Sequence, residues 1–175
     1  HTDEGFVGVG EGAPGILITG ETLEGTVSCI QKIGDALIGC DPLDFEKIYF
    51  TMNAIAAHAP SAKTAIDIAI HDIIGKASNQ AISQLFGGYR TSIETDMTLG
   101  IGAPEEMAKK AKAHIATGFD TLKVKVGVDE RLDVERIKQI REAVGSSVKI
   151  RVDANQGWLP KQAVKMIERL DEYDI

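Results

Sequence analysis

Lys123 and Lys125 stand two apart in the run TLKVKVG at 121–127, and Asp153 and Asn155 stand two apart in VKIRVDANQGW at 148–158. Alternate residues of a strand share a face, so each run brings two polar groups to one side of a sheet. Two ammonium groups held several ångströms apart repel each other. Partial burial disfavours their charge further, which lowers the pKa towards the range where a neutral amine acts as a base. Such a base suits removal of a weakly acidic proton beside a carboxylate. The enediolate that forms needs positive charge against it, and a divalent cation held by carboxylates supplies that charge. Asp153 is a hard oxygen ligand of the right kind, and Asn155 would support it from behind or contact substrate.

The elements that must position these groups follow a strand, helix, strand, helix, strand, helix rhythm from about residue 94. Strands are predicted at 97–101, 122–126 and 148–152. The helix after the first strand opens at Pro104, with Glu105 and Glu106 in its first turn, and stops at Gly118. The helix after the second carries Val134, Ile137, Ile140, Arg141 and Val144 before Gly145, and the third opens at Pro160 with Val164, Ile167 and Leu170 inward. Repeated βαβ units imply a parallel sheet.

Each strand has one apolar face, for example Leu122, Val124 and Val126, and one polar face, here Thr121, Lys123 and Lys125. Parallel strands covered on both faces should be nearly all apolar, so the charged face needs an explanation. A (β/α)₈ barrel supplies one, because polar catalytic groups sit inside it at the C-terminal mouth. An open sheet with one solvated face is the alternative.

The first half reads differently. Residues 6–9 suggest a short strand, followed by a turn-rich loop at 10–20. Leu23, Val27, Ile30, Ile33 and Leu37 mark a helix ended by Gly39. Residues 44–57 suggest a second helix. Ser61 is a candidate N-cap for a third, whose buried face is Ile66, Ala69, Ile70 and Ile73, and 81–86 form a short turn closed by Gly87 and Gly88.

With 26 acidic and 19 basic residues in 175, the formal net charge is −7 and the pI about 5.1. No basic run is present, which argues against nucleic acid as a partner. No apolar stretch approaches the roughly 18 residues that span a bilayer, so no membrane partner is expected. Cys29 and Cys40 lack metal-site spacing and read as buried thiols suited to a cytoplasmic location. GEGAPG at 10–15 has the GxGxxG spacing, but Ile16-Leu17-Ile18 follows instead of a helix N-terminus, and Pro14 sits inside the loop. His71, on an apolar helix, reads as packed, His114 as solvent-facing, and Trp158 as a packing anchor.

On TLKVKVG and VKIRVDANQGW the chain resembles the second and third barrel strands of the enolase superfamily, muconate-lactonizing subgroup. SAKTAIDIAIHDIIGK at 61–76 and LFGG at 85–88 are similar to its capping-domain helix and the turn after it. GEGAP at 10–14 with ITGET at 18–22, and DMT at 96–98 with PEEM at 104–107, most resemble dipeptide epimerases of the L-Ala-D/L-Glu type.

The resemblance implies an α/β and α+β chain. Residues 1–93 would be a capping-domain remainder of strand plus helices, and residues 94–175 the first three βα units of a TIM-like barrel. Such a barrel typically runs to about 250 residues, so an N-terminal fragment is expected. Lys125 would be the acid/base for one face of the α-carbon. Lys123 would neutralise the substrate carboxylate and depress its neighbour's pKa. Thr98 would contact substrate, Asp153 would ligate Mg²⁺ with Asn155 behind it, and the loop at 13–22 would belong to the cap over the barrel mouth.

The implied partner is a dipeptide or amino-acid derivative, and the implied assembly a homo-oligomer. A 1,1-proton transfer needs a base on each face of the carbon, and the chain supplies one, so the segment alone is expected to be inactive. Muconate cycloisomerase, o-succinylbenzoate synthase and N-acylamino-acid racemase keep the same half-site. A non-catalytic structural fragment is the alternative of another class.

Overall fold

Four helices and no strand make up His1–Thr91, one of the two compact units into which the chain divides; the other is Ser92–Ile175. The computed structural model describes all residues from 1 to 175. No helix in it is long and apolar enough to cross a membrane.

In the first unit, α1 (Leu23–Leu37) starts where the Thr22 hydroxyl accepts from the Gly25 N–H at 3.1 Å. Then come α2 (Phe45–Ile55), α3 (Pro60–Ser78) and the single turn α4 (Ile82–Leu85). Ile33, Ile48 and Met52 form the core, with Leu37, Ile66 and Ile70 packed against it. The predicted apolar face of α1 is therefore buried only in its C-terminal half. Leu23 and Val27 are exposed, and the buried residue of the first turns is Thr26.

Ser61 is not the N-cap of α3. Ala59 takes that place in the left-handed region (φ 60°), and Pro60 opens the helix, where its fixed φ suits the first position. Ser61 lies in the first turn, donating from its backbone N–H (3.2 Å) and hydroxyl (2.5 Å) to the Glu21 carboxylate. Those bonds hold the Glu21 carboxyl below its usual pKa against the opposing effect of desolvation, the largest single influence on it.

Residues 6–9 do not form the predicted strand. A strand needs a neighbour to share its backbone hydrogen bonds, and this unit offers none. The segment's polar groups go instead to α3: the Val9 N–H donates to Asp72 (2.9 Å), and Lys76 donates to the Val7 carbonyl (2.7 Å). Gly8, Gly10 and Gly12 lie directly on the α3 carbonyls of Ala69, Ala65 and Ser61, and a Cβ at any of them would overlap that oxygen. Two residues of extended chain advance about as far as one helical turn, so alternate glycines meet successive turns. Two glycines of the spacing that imitates a nucleotide-binding loop, Gly10 and Gly12, thus serve close packing. Cys29 and Cys40 are half-buried rather than buried.

The second unit alternates β1 (Met97–Leu99), α5 (Pro104–Ala116), β2 (Thr121–Lys125), α6 (Glu130–Val144), β3 (Lys149–Asp153) and α7 (Pro160–Leu170), then a 3₁₀ turn at Asp171–Tyr173. The strands are parallel in the order β1-β2-β3, as the rhythm predicted. Pro104 and Pro160 open their helices as expected. Asp129 caps α6, accepting from the N–H groups of Arg131 and Leu132 at 2.9 Å each.

Leu99, Leu122, Val124, Val126, Val148 and Ile150 pack against Met107, Ala111, Ile137, Ile140, Met166 and Leu170 in one core. All three helices therefore supply that core on the apolar face of the strands, while Lys123, Lys125 and Arg151 occupy the other face outside it. β1 ends at Leu99, two residues early, and Ile101 is exposed.

Candidate active site

The register β1-β2-β3 sets Thr98 beside Lys123, and Lys125 beside Asp153. Lys125 and Asp153 are the last residues of their strands, which puts both at the C-terminal edge of the sheet. One oxygen of Asp153 accepts from Lys125 Nζ at 2.8 Å and from Lys123 Nζ at 2.9 Å. Its other oxygen accepts from the Asn155 backbone N–H at 2.8 Å. Asn155 sits in the left-handed region (φ 50°), which asparagine tolerates well, and its side-chain oxygen accepts from Lys125 Nζ at 2.9 Å. Side-chain exposures of 37% for Lys123, 28% for Lys125 and 26% for Asp153 leave the cluster within reach of a solute. Thr98 is exposed. The structure thus gathers Lys123, Lys125, Asp153 and Asn155 directly and places Thr98 next to them.

The electrostatics differ from the sequence expectation. Paired lysines were expected to lower each other's pKa, yet that of Lys123 is raised. The hydrogen bond and charge of Asp153 outweigh desolvation, and Asp96 adds to them. Asp153 is held far below the usual carboxylate range by Lys125, then Lys123, then the Asn155 N–H. A depressed carboxyl pKa contributes stability above the unfolded value, about 3.9, and that contribution is lost as pH falls through the folded value. The raised Lys123 value contributes below about 10.4 and is lost as pH rises through the folded value. Lys123 and Asp153 are therefore charge-paired across neutral pH. The Asp153 carboxyl carbon should show no protonation step in an NMR titration around pH 4, where an ordinary aspartate titrates; a step there would mean the lysine bonds do not form.

Asp153 is a hard oxygen donor of the kind Mg²⁺ takes, but these 175 residues do not by themselves complete the near-octahedral set of oxygens that the ion demands. No group of three His, Cys, Asp or Glu side chains is placed to hold a metal. His71 is packed between Phe45 and Phe86, with its Nδ1 2.9 Å from the Asp67 carbonyl, in line with its structural reading. His114 is half-buried rather than solvent-facing, and Trp158 packs against the core of the second unit.

Two features escaped the sequence reading. Gly127 (φ 102°) lies backbone to backbone against Ala154 and Gly157, so the loops after β2 and β3 touch where a side chain would not fit. Asp133 is fully buried and accepts from the Gly127 N–H at 2.8 Å. Its signal was a carboxylate four residues before Ile137 on α6, a core-facing position where a charge needs a partner.

Residues 1–87 match the family model for the mandelate racemase / muconate lactonizing enzyme, N-terminal domain, and residues 106–175 the model for the enolase C-terminal domain-like family. The chain is 53% identical over 175 residues to a hydrophobic dipeptide epimerase of Enterococcus faecalis, covering 100% of this chain and 49% of that protein. It is 40% identical over 172 residues to the L-Ala-D/L-Glu epimerase of Bacillus subtilis, covering 97% and 47%. The crystal structure of the dipeptide epimerase from Enterococcus faecalis V583 complexed with Mg and L-Leu-L-Tyr superposes with a TM-score of 0.97 at 52% identity, covering 100% of this chain and 49% of that one. The chain thus spans about half the length of the curated relatives it matches.

Proposed function

The chain belongs to the mandelate racemase/muconate lactonizing enzyme family of the enolase superfamily, and from that premise we propose that the full-length protein is a dipeptide epimerase of the L-Ala-D/L-Glu type. It is then an isomerase that inverts the second residue by α-proton transfer. The observation that carries this reading is the cluster of Lys123, Lys125, Asp153 and Asn155 at the C-terminal strand ends, on the face opposite the helix-packed core.

Lys125, as the neutral amine, takes the α-proton from one face of the carbon. The C–H electron pair moves into the carboxylate and forms an enediolate, and a proton returns from the other face. Lys123, kept charged by Asp153, offers its ammonium group to the substrate carboxylate, and Thr98 contacts substrate beside it. Asn155 fixes the direction of the Lys125 amine.

Mg²⁺ belongs to the same proposal. Asp153 would be one ligand, with further oxygen donors from outside these 175 residues, and the Mg and dipeptide bound in the Enterococcus faecalis relative support it. A homo-oligomer in the cytoplasm completes the reading.

Incubating the full-length protein and Mg²⁺ with L-Ala-L-Glu should yield L-Ala-D-Glu, separable by chiral chromatography. Turnover of L-Leu-L-Tyr alone would move the substrate class to hydrophobic dipeptides. Turnover of a muconate or an N-acylamino acid, with neither dipeptide converted, would contradict the epimerase reading.

A further inference from the structure

Asp133 and Arg136 form a buried ion pair on α6, with side chains 0% and 7% exposed and Nη1 to Oδ1 at 2.7 Å. The other oxygen of Asp133 takes the Gly127 N–H at 2.8 Å, and Arg136 Nε donates to the Gly102 carbonyl at 2.8 Å. Gly102 lies in the loop after β1, and Gly127 follows Lys125 by two residues in the loop after β2. Gly127 also rests on Ala154 and Gly157, in the loop after β3. The ion pair therefore ties the loops after β1 and β2 together, and Gly127 carries the contact on to the loop after β3.

Burying a charge pair is a poor route to stability. Its desolvation cost commonly matches its attraction, and apolar side chains of the same size often do as well or better. What the pair provides here is directed bonds to two backbone groups that no apolar side chain could replace. Gly127 has no side chain and an unusual φ, so it depends on such bonds to fix its position.

We propose that Asp133 and Arg136 are positioning residues, which set where the β2 strand end presents Lys125 by tying Gly127 to the loop after β1. The inference rests on the proposed role of Lys125. Misplacing a reacting group by about 1 Å costs on the order of 100-fold in rate.

The test uses the full-length protein with two sets of substitutions. Asp133→Leu combined with Arg136→Met removes the charges at similar length. It should leave the Tm within about 5 °C, lower kcat about 10- to 100-fold, and keep KM within about two-fold. Arg136→Lys keeps a charge for Asp133 but cannot also reach Gly102 in the same fork, so kcat should fall by a smaller factor. In the double variant, which removes the Asp133 acceptor, the Gly127 amide should exchange with solvent about ten-fold faster or more.

Unchanged Gly127 exchange in a folded double variant would overturn the proposal, as would native kcat in a double variant that keeps its Tm. If the double variant does not fold, Arg136→Lys with native Tm and native kcat overturns it. A wild-type protein that converts no dipeptide defeats the proposed function instead, and Gly127 exchange still reads the brace on its own.

Discussion

Lys125→Met should abolish the proposed epimerisation in the full-length protein, lowering kcat/KM by about 10³-fold or more. Methionine keeps the length and the apolar stem of lysine and loses only the basic nitrogen. Lys125 lies outside the helix-packed core, so its replacement removes no core contact. The β2–β3 ladder continues past it, with the Val126 N–H donating to the Asp153 carbonyl at 3.1 Å. The variant should therefore fold with little change in Tm, which separates a lost base from a lost structure. Lys123 cannot substitute. It lies two residues back on the same strand, about 6.6 Å along it, and is held protonated by Asp153. Circular dichroism and chiral chromatography on the same preparation check both halves of the expectation.

Gly10→Ala should destabilise the protein by about 3 kcal/mol. The added methyl would fall on the Ala65 carbonyl oxygen, which belongs to the α3 backbone and cannot swing aside as a side chain would. Either the segment at 6–12 lifts off α3, losing the Val9–Asp72 and Val7–Lys76 bonds, or the helix bends. Gly15→Ala is the control, because open space surrounds Gly15 and its φ is not positive. Its effect should stay within about 0.5 kcal/mol. Urea unfolding of the two variants beside the wild type measures the difference. Equal stabilities would mean that the glycine row does not pack as described.

Much of what local rules govern was legible in the sequence, although Val164 and Ile167, expected inward on α7, are exposed and Ser61 does not cap α3. Pro104 and Pro160 opening α5 and α7, and the alternation of Leu122, Lys123, Val124 and Lys125, depend on residues within a few positions of each other. What failed depended on partners far along the chain. Residues 6–9 have strand composition, but a strand exists only where another strand accepts its bonds, and here α3 takes them, with Asp72 sixty-three residues beyond Val9.

The same reason reversed the expectation for Lys123. From spacing alone the two ammonium groups face each other; in the fold Asp153, twenty-eight residues beyond Lys125, accepts from both. Asp133 shows the opposite case. A carboxylate at a core-facing helix position was readable as an anomaly, with Arg136 one turn on as a partner, but its bond to Gly127 became visible only with the loop in place.

The most direct measurement is the α-proton signal of L-Ala-L-Glu in D₂O, followed by proton NMR with the full-length protein and Mg²⁺, for the wild type beside Lys125→Met. The wild type should wash the Glu α-proton out as the second epimer accumulates, while Lys125→Met, equally folded, should form no second epimer. Epimerisation at the wild-type rate in Lys125→Met would contradict the proposed role of Lys125.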